Sequence, residues 1–408
     1  MTVNLPASVP RPASLDAVFA HAWTCAEFTA TDAIAATGLT RSTTIEAMES
    51  LAEIGLLREL PNAREAGAYR KGRPARRFEL RGDAGMLVGV DAGNAHLTVM
   101  VTDLRSSVRA TGHTERTPDL DDGPTRVTRV LAAVDDALAA AGCAREDVLA
   151  LCAGVPAPVD SRGRSPRGFD GFWNRMNPDL VDALSWAPLV RIDNDASLAA
   201  LAEGAAGAAV GCRNYIVLLA GARLGAGVVV DGQILRGTHG GVGEMRAFDH
   251  VNGVGTAAGL GATAAQWAAH AVADGSLSPG SALRRVPASE LNGRILRELA
   301  AAGDVDAGEI VDRIGVMLGR IASVLASVYD PEKIIVSGGI EPVADRILAT
   351  ARRAFHTDLD LPAPELLSSQ LGADIVAHGA IASAAASAQT HALDLWQVRG
   401  PAGLAAGR

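Results

Sequence analysis

The pattern of apolar and polar positions divides the 408-residue chain into two regions. Up to about residue 82, apolar residues recur at helical spacing in short segments, and two strand-like runs follow them. From Met86 onward, apolar runs of strand length alternate with longer helical segments. This change predicts a small N-terminal domain, residues 1–82, followed by a larger α/β body.

The N-terminal region has the spacing of a helix-turn-helix. The stretch "SLDAVFAHAW" is predicted to be helical, a second helix is predicted over about Ala30–Thr37, and Gly38 is a typical C-cap. A third helix is predicted to begin near Thr40–Arg41 and to run to Gly55. In a helix-turn-helix, the second helix of the pair enters the major groove of DNA. The candidate DNA contacts at the start of this helix are Arg41, Ser42, Thr43 and Thr44.

A basic segment separates two predicted strands after these helices. The strands are "GLLREL" and "ARRFEL", and "NAREAGAYRKGRP" between them has the length and charge of a DNA-binding wing. Its Gly-Arg-Pro tip could place an arginine in a minor groove. The candidate wing contacts are Arg70, Lys71, Arg73, Arg76 and Arg77. The alternative is an ordinary three-helix domain whose basic hairpin is a solvated surface.

The distribution of charge favours DNA binding. The net charge of the chain is −9, but residues 1–82 carry 10 basic and 9 acidic side chains, a net +1, which leaves −10 for the rest. Residues 64–81 alone carry 7 basic and 2 acidic side chains, a net +5. A basic patch on an otherwise acidic chain is typical of a small polyanion-binding module attached to a larger body.

The composition excludes several classes of protein. Hydrophobic residues make up 48% of the chain and no apolar run has the strength of a membrane span, while the N-terminus lacks the features of a signal peptide. The four cysteines, at positions 25, 143, 152 and 212, lie far apart without a CxxC pair. We therefore expect a reduced, cytoplasmic protein without a zinc site and without a membrane partner.

Strand-turn-strand units mixed with helices occur twice in the body, which predicts two lobes with a cleft between them. The two units are "MLVGVDAGNAHLTVMVTDL" and "YIVLLAGARLGAGVVVDGQILRG". Helices are predicted over about Thr125–Ala141 and in "NPDLVDALSW", "ASLAALAEGAAG" and "GEIVDRIGVMLGRIASVLASVYD". We assign residues 83–193 to the first lobe, completed by a C-terminal helix at about 376–395, and residues 194–375 to the second lobe with the ligand cleft.

The motifs of the body resemble those of the ROK family (repressors, open reading frames and kinases). The best matches are "VGVDAG", "DNDA", "GAGVVVDGQILRG…GEM" and "IIVSGG", together with the wing segment "KGRPARRFEL". The resemblance covers nearly the whole chain and implies an α/β fold, in which an N-terminal winged helix-turn-helix precedes a two-lobed, actin-like sugar-kinase body. In the kinases of this family, an aspartate deprotonates a sugar hydroxyl and two glycine-rich turns hold the ATP phosphates.

Both phosphate turns depart from the kinase pattern that the resemblance implies. The first pattern is Asp-x-Gly-x-Thr, and Ala95 stands at the threonine position. The second is close to Gly-Thr-Gly-x-Gly-x-Gly, and Ala222 and Arg223 replace its threonine and second glycine. Glycine is needed where the backbone approaches phosphate closely. The guanidinium of Arg223 could itself meet an anion, but ATP and magnesium are not expected to bind.

The sugar side of the family pattern is partly retained. Asn194 and Asp195 match the sugar-binding asparagine and the base, so Asp195 is a vestigial base candidate. Glu244 matches the glutamate of a Glu-x-Gly-His element, in which Arg246 and Ala247 replace the last two residues. The cysteine cluster of the family's zinc site is missing from "FDHVNGVGTAAGLGA", so no metal is expected. The candidate ligand contacts are Asn194, Asp195, Glu244, Arg246 and Asn177.

Two of these assignments have structural alternatives. Asn194 or Asp195 could be the N-cap of the helix that follows, since both residue types are favoured there. The polar and aromatic segment Gly171–Asn177 could line the cleft, but Trp173 could equally pack the lobes together.

We therefore expect a sugar-responsive DNA-binding transcriptional regulator that acts as a repressor, and not an enzyme. Its expected partners are double-stranded operator DNA, a sugar or sugar phosphate effector, and further copies of the chain in a homodimer or homotetramer. Two alternatives stay open. One is an active ATP-dependent sugar kinase with an appended DNA-binding domain, and the other is a DNA-binding regulator that needs no ligand.

Overall fold

The computed structural model describes residues 2–3, 11–61, 75–115, 122–168, 170–221, 223–355 and 361–399. The strands are β1 (Thr2–Val3), β2 (Phe28–Thr29), β3 (Leu57–Leu60), β4 (Arg77–Leu80), β5 (Met86–Asp91), β6 (His96–Asp103), β7 (Val108–Glu115), β8 (Val148–Val155), β9 (Leu189–Asn194), β10 (Tyr215–Ala220), β11 (Leu224–Val230), β12 (Gln233–Ile234), β13 (Lys333–Ser337) and β14 (Glu365–Ser368). The α-helices are α1 (Ala13–Thr24), α2 (Ala30–Thr37), α3 (Arg41–Glu53), α4 (Gly123–Ala140), α5 (Phe172–Met176), α6 (Leu180–Ala183), α7 (Asp195–Ala206), α8 (Leu260–Ala273), α9 (Gly293–Ala301), α10 (Val305–Tyr329), α11 (Ala344–Ala354) and α12 (Ile375–Arg399).

The N-terminal region has the architecture of a winged helix. Helices α1, α2 and α3 pack on one another, and a three-stranded sheet of order β2-β4-β3 lies beside them. A capping box between Thr29 and Asp32 begins α2, and Gly38 ends it in the left-handed conformation at φ 69°. The predicted helices and the two strands "GLLREL" and "ARRFEL" are confirmed in this region.

The first lobe is built on a six-stranded sheet of order β1-β9-β8-β5-β6-β7. Strands β5, β8 and β9 run parallel, and β6 and β7 continue the sheet as an antiparallel meander. Helix α4 packs on β6 and β7, while the C-terminal helix α12 packs on β5 and β8. The parallel strands are therefore covered by helix, as their continuous apolar sequences require.

The second lobe is built on a five-stranded sheet of order β12-β11-β10-β13-β14. Strands β10, β13 and β14 are parallel, and β11 returns antiparallel to β10 as the predicted hairpin. The long helix α10 packs against α8, α9 and α11, and its apolar face includes Ile314, Leu318 and Ile321. These helices and the sheet enclose a second apolar core.

Helix α12 joins the first lobe to the N-terminal domain. It crosses α7 so closely that a Cβ on Gly379 would lie 1.9 Å from the carbonyl oxygen of Leu198, which is why a glycine stands there. Near its other end, Trp396 belongs to the same apolar cluster as Phe19 of α1. Asp394 of α12 forms an ion pair with Arg11, and both side chains are only 12% exposed.

Some predicted elements differ from those observed. The stretch "NPDLVDALSW" forms only the short helix α6, because Asp179 before it adopts a left-handed conformation at φ 52° and Leu184 ends it. The predicted helix over about Thr125–Ala141 is observed as α4, which begins two residues earlier after the N-cap Asp122. None of the helices in the described ranges is long and apolar enough to cross a membrane.

Candidate functional site

A cleft with a volume of about 330 Å³ lies between the two lobes. It is lined by residues at the carboxyl ends of the parallel strands β5 and β9 of the first sheet and β10 and β13 of the second. Open α/β sheets bind their ligands at this edge, in the crevice outside the strand ends. The volume is in the range of small-molecule pockets.

Three carboxyl groups line the cleft. Asp91 is the last residue of β5, Asp195 is the first residue of α7, and Glu244 lies beside Gly225 of β11. Burial, with the neighbouring charges of Asp91 and Glu244, raises the pKa of Asp195 to about 7. Burial also raises the pKa of Glu244. The cleft therefore holds one carboxyl group, that of Asp195, with a pKa near neutrality, and its carboxyl groups can bind the hydroxyl groups of a ligand.

The side chain of Asn194 is fixed by two hydrogen bonds to backbone groups. Its side-chain oxygen accepts from the backbone N–H of Ser197 at 3.0 Å, and its amide donates to the carbonyl oxygen of Ala157 at 3.2 Å. Asn194 is therefore the N-cap of α7, the structural alternative considered above, and it also lines the cleft. Asp195, one residue later, accepts a hydrogen bond from the backbone N–H of Ala196 through Oδ1 at 2.7 Å.

The first phosphate-type turn, Asp91–Ala95, is followed by the imidazole of His96, which the sequence motifs did not indicate. Nε2 of His96 lies 2.7 Å from Oδ2 of Asp91, and this contact raises the pKa of His96. The same ring packs over Gly93, where an added Cβ would lie 2.7 Å from Cε1 of His96. Ala95 lines the cleft beside it and offers no hydroxyl. Asp91 therefore interacts with a side chain of the protein itself.

A fully buried arginine, Arg126, holds the backbone of the first phosphate-type turn. Arg126 of α4 donates to the carbonyl oxygens of Ala92, Gly93 and Met176, with distances of 3.1 Å to Gly93 and 2.8 Å to Met176. Its guanidinium fixes the backbone that follows Asp91 and connects it to α5. No sequence motif marks Arg126, because its role depends on a contact between segments about 33 to 50 residues apart.

The second phosphate-type turn corresponds to residues 221–227, and the side chain of Arg223 extends from it across the cleft mouth. Its guanidinium forms an ion pair with Asp170 at 3.0 Å and stacks 4.5 Å from the ring centre of Phe172. Asp170 and Phe172 belong to the first lobe, so the arginine that replaces a family glycine bridges the cleft mouth. Ala222, the other altered position of this turn, lies outside the described residues.

The structure does not bring all predicted ligand residues to the cleft. Asn177 is buried away from it, and its amide donates to the carbonyl oxygen of Gly163 and to Oγ of Ser165. Arg246 is exposed, does not line the cleft, and pairs with Asp249 at 3.5 Å. Trp173, whose role was left open, does line the cleft and packs beside Gly168.

The predicted DNA contacts divide into accessible and inaccessible side chains. Arg41 and Ser42 are exposed at the start of α3, and Thr43 is half-buried. Thr44 is fully buried and its hydroxyl donates to the carbonyl oxygen of Thr40, so its assignment as a DNA contact is wrong. Four consecutive residues of a helix cannot all face outward, and Thr44 is the one that faces the core of the domain.

The wing is described only at its base. Arg76 forms ion pairs with Glu59 at 2.8 Å and with Glu49 at 3.2 Å. Arg77 forms an ion pair with Glu27 at 3.0 Å. The three other wing candidates lie outside the described residues: Arg70, Lys71 and Arg73.

Within the described ranges, no group of three or more His, Cys, Asp and Glu side chains is arranged to hold a metal ion. His239 and His250, which lie near the position expected for the family's zinc cysteines, belong to no such group.

Relatives of known function fall into two classes. A glucokinase of Halalkalibacterium halodurans is 27% identical over 283 residues, which cover 66% of this chain and 84% of that enzyme. The DNA-binding transcriptional dual regulator NagC of Escherichia coli K12 is 28% identical over 211 residues, which cover 47% of this chain and 50% of NagC. The chain is thus similar both to a sugar kinase and to a regulator.

Solved structures show the same fold. A ROK family transcriptional regulator described as a homologue of E. coli MLC has a TM-score of 0.75 at 19% identity, and the match covers 94% of this chain and 99% of that one. A ROK family glucokinase from Streptomyces griseus, solved with glucose and AMPPNP, has a TM-score of 0.62 at 24% identity over 74% of this chain and 99% of the enzyme. Residues 87–387 match the ROK family itself. Because this match spans well over half of the sequence, the chain belongs to the ROK family.

Proposed function

We propose that this protein is a transcriptional regulator that binds operator DNA through its winged helix and a sugar in its interlobe cleft. The observation that carries the proposal is the joint presence of an N-terminal winged helix and of a cleft whose two phosphate-type turns are occupied by side chains of the protein. The similarity to a ROK regulator over 94% of the chain, including the N-terminal region, supports it.

The residues of the cleft do not fit a magnesium–nucleotide complex. Asp91 is paired with His96, the threonine that would hold phosphate is Ala95, and Arg223 is paired with Asp170. Binding ATP would require both pairs to break and phosphate to approach a turn that lacks the needed glycine. We therefore propose that Asp195 remains as a ligand-binding group and has no catalytic role.

The cleft retains the groups that a sugar needs. Asp195 and Glu244 can accept hydrogen bonds from hydroxyl groups, and Trp173 offers an apolar face to a sugar ring. We propose a sugar or a sugar phosphate as the effector, with the guanidinium of Arg223 as the cationic group that could meet a phosphate.

Helix α12 provides a direct connection between the effector and the DNA-binding domain. Its first residues, Ile375 and Val376, line the cleft, and Asp394 at the other end pairs with Arg11 beside α1. A helix of 25 residues is about 37 Å long, enough to connect the cleft to the N-terminal domain. A ligand that favours one arrangement of the lobes would therefore shift the DNA-binding domains of a dimer or tetramer relative to the two halves of a palindromic operator.

The first test concerns catalysis. We expect no measurable ATP-dependent phosphorylation of common hexoses, because both phosphate-type turns are blocked. A coupled assay of ADP release checks this, with a ROK glucokinase as the positive control. Turnover near the enzyme median of about 10 per second would contradict the proposal and favour a kinase with an appended DNA-binding domain.

The second test separates ligand binding from DNA binding. Asp195→Ala and Glu244→Ala are expected to abolish the response to the effector while operator affinity stays within about twofold, because both residues lie in the cleft, remote from α3. Thermal-shift screening against sugars and sugar phosphates identifies the effector, since a ligand at 100 times its Kd stabilises by about 2.7 kcal/mol. Glu290→Ala, at an exposed carboxylate outside the cleft, is the control and should respond normally. A full response in both cleft variants would show that the effector binds elsewhere.

A further inference from the structure

The face of α3 that points away from the core of its domain is acidic. The buried side of the helix is formed by Thr44, Ala47, Met48 and Leu51. The exposed residues on the other side are Arg41, Ser42, Glu46, Glu49 and Glu53. Three carboxylates on a helix that is proposed to enter a DNA groove are unexpected, because the phosphates of DNA repel them. The position of each carboxylate on this face therefore needs a physical explanation.

Two of the three carboxylates have such an explanation. Glu49 forms an ion pair with Arg76, whose guanidinium also pairs with Glu59 and stacks 5.0 Å from the ring centre of Phe78. This network ties α3 to the base of the wing. Glu53 is the last residue of the helix, and base contacts in a helix-turn-helix come from the N-terminal part of the recognition helix.

Glu46 is the remaining carboxylate. It lies in the second turn of α3, one turn after Ser42 on the same exposed face. Among the described residues, no hydrogen bond or ion pair engages its side chain. In the major groove, the hydrogen-bond donors on the bases are the amino groups of cytosine N4 and adenine N6. The amino group of adenine lies between two acceptors, its own N7 and O4 of the paired thymine, which disfavours a carboxylate, whereas the amino group of cytosine has an acceptor on one side only, O6 of the paired guanine.

We propose that Glu46 determines specificity by accepting a hydrogen bond from the N4 amino group of one cytosine in each operator half-site. This inference rests on the proposed DNA binding of the winged helix. The phosphates repel the carboxylate on any DNA. The compensating hydrogen bond forms only at a site that has cytosine in the right place. Glu46 therefore raises the preference for the operator by weakening binding to unrelated DNA.

The test is a selection of binding sites from a library of randomised DNA duplexes, carried out with the full-length protein and three variants. The wild-type protein is expected to select a motif with a fixed cytosine in each half-site. Glu46→Gln should replace that cytosine by adenine, because glutamine pairs with adenine N6 and N7. Glu46→Ala should lose the base preference at this position and bind unrelated DNA more tightly. Glu53→Gln removes an exposed carboxylate from the same helix and should select the wild-type motif.

Anisotropy titrations on the selected duplexes give the magnitude. Changing the fixed cytosine should weaken wild-type binding by about tenfold or more, and should weaken Glu46→Ala binding by less than twofold. A wild-type motif that is unchanged in Glu46→Gln would overturn the assignment of Glu46 while leaving the proposed function intact. Selection of no motif by the wild-type protein would overturn both. Thermal unfolding of the variants shows that the domain remains folded, since Glu46 is exposed.

Discussion

Replacing Arg126 by methionine is expected to lower the free energy of unfolding by about 3 kcal/mol or more. The guanidinium is fully buried and donates to three backbone carbonyl groups, at Ala92, Gly93 and Met176. Methionine fills a similar volume but leaves these oxygens without a donor, and each unsatisfied buried acceptor costs about 1 to 3 kcal/mol. Relief of the burial cost of the cation offsets part of this loss.

Urea unfolding followed by tryptophan fluorescence measures the effect. Arg129→Met, one turn later on the exposed side of the same helix, is the matched control and should change stability by no more than about 0.5 kcal/mol. Because Arg126 also fixes the backbone that follows Asp91, the folded variant should bind the effector more weakly. An Arg126→Met protein with wild-type stability would show that water or a rearranged turn satisfies the three carbonyl groups.

The winged helix could be predicted from its sequence because its signals are local. The capping box at Thr29 and Asp32 and the left-handed Gly38 lie within ten residues of one another, and they fix both ends of α2. The error at Thr44 has the same origin. Sequence spacing gave the face of α3 only approximately, and the packing of the helix against α1 decides that Thr44 faces inward.

The cleft was less predictable because it depends on contacts between distant segments. The motifs placed Asp195 and Glu244 correctly at the cleft, since both match the family pattern and Asp195 directly follows the end of β9. They gave no sign of His96 or Arg126, whose roles follow from the three-dimensional approach of β6 and α4 to the turn after β5. Asn177 was assigned from a polar segment whose side chains the sequence could not orient, and it lies inside the first lobe.

Arg223 illustrates how a sequence departure can acquire a structural role. The substitution of a family glycine indicated only that phosphate would fit poorly. Its pairing with Asp170 and its stacking on Phe172 involve a segment about 50 residues earlier in the chain, and no sequence spacing connects the two. The ion pair lies at the mouth of the cleft, so Arg223 forms a contact between the lobes.

Replacing Asp195 by asparagine is expected to stabilise the protein by about 2 kcal/mol more at pH 8 than at pH 5. The ordinary pKa of the carboxyl group is 3.8, and burial beside Asp91 and Glu244 raises its pKa to about 7 in the folded protein. As the pH rises above 4, the unfolded chain loses this proton first, so the folded state loses stability up to about pH 7. Asparagine resembles the protonated carboxyl group and does not titrate, so it removes this loss.

The measurement is the difference in unfolding free energy between Asp195→Asn and the wild-type protein, taken from urea unfolding at pH 5 and at pH 8. Comparing differences cancels the titration of other groups common to both proteins. Asp136→Asn, which removes an exposed carboxylate from α4, is the control for the loss of a charged side chain outside the cleft. A ligand hydroxyl that donates to ionised Asp195 would be bound more tightly as the pH rises through 7, and Asp195→Asn should abolish that dependence as well. An equal effect of Asp195→Asn at both pH values would mean that the cleft does not disfavour the ionised carboxylate.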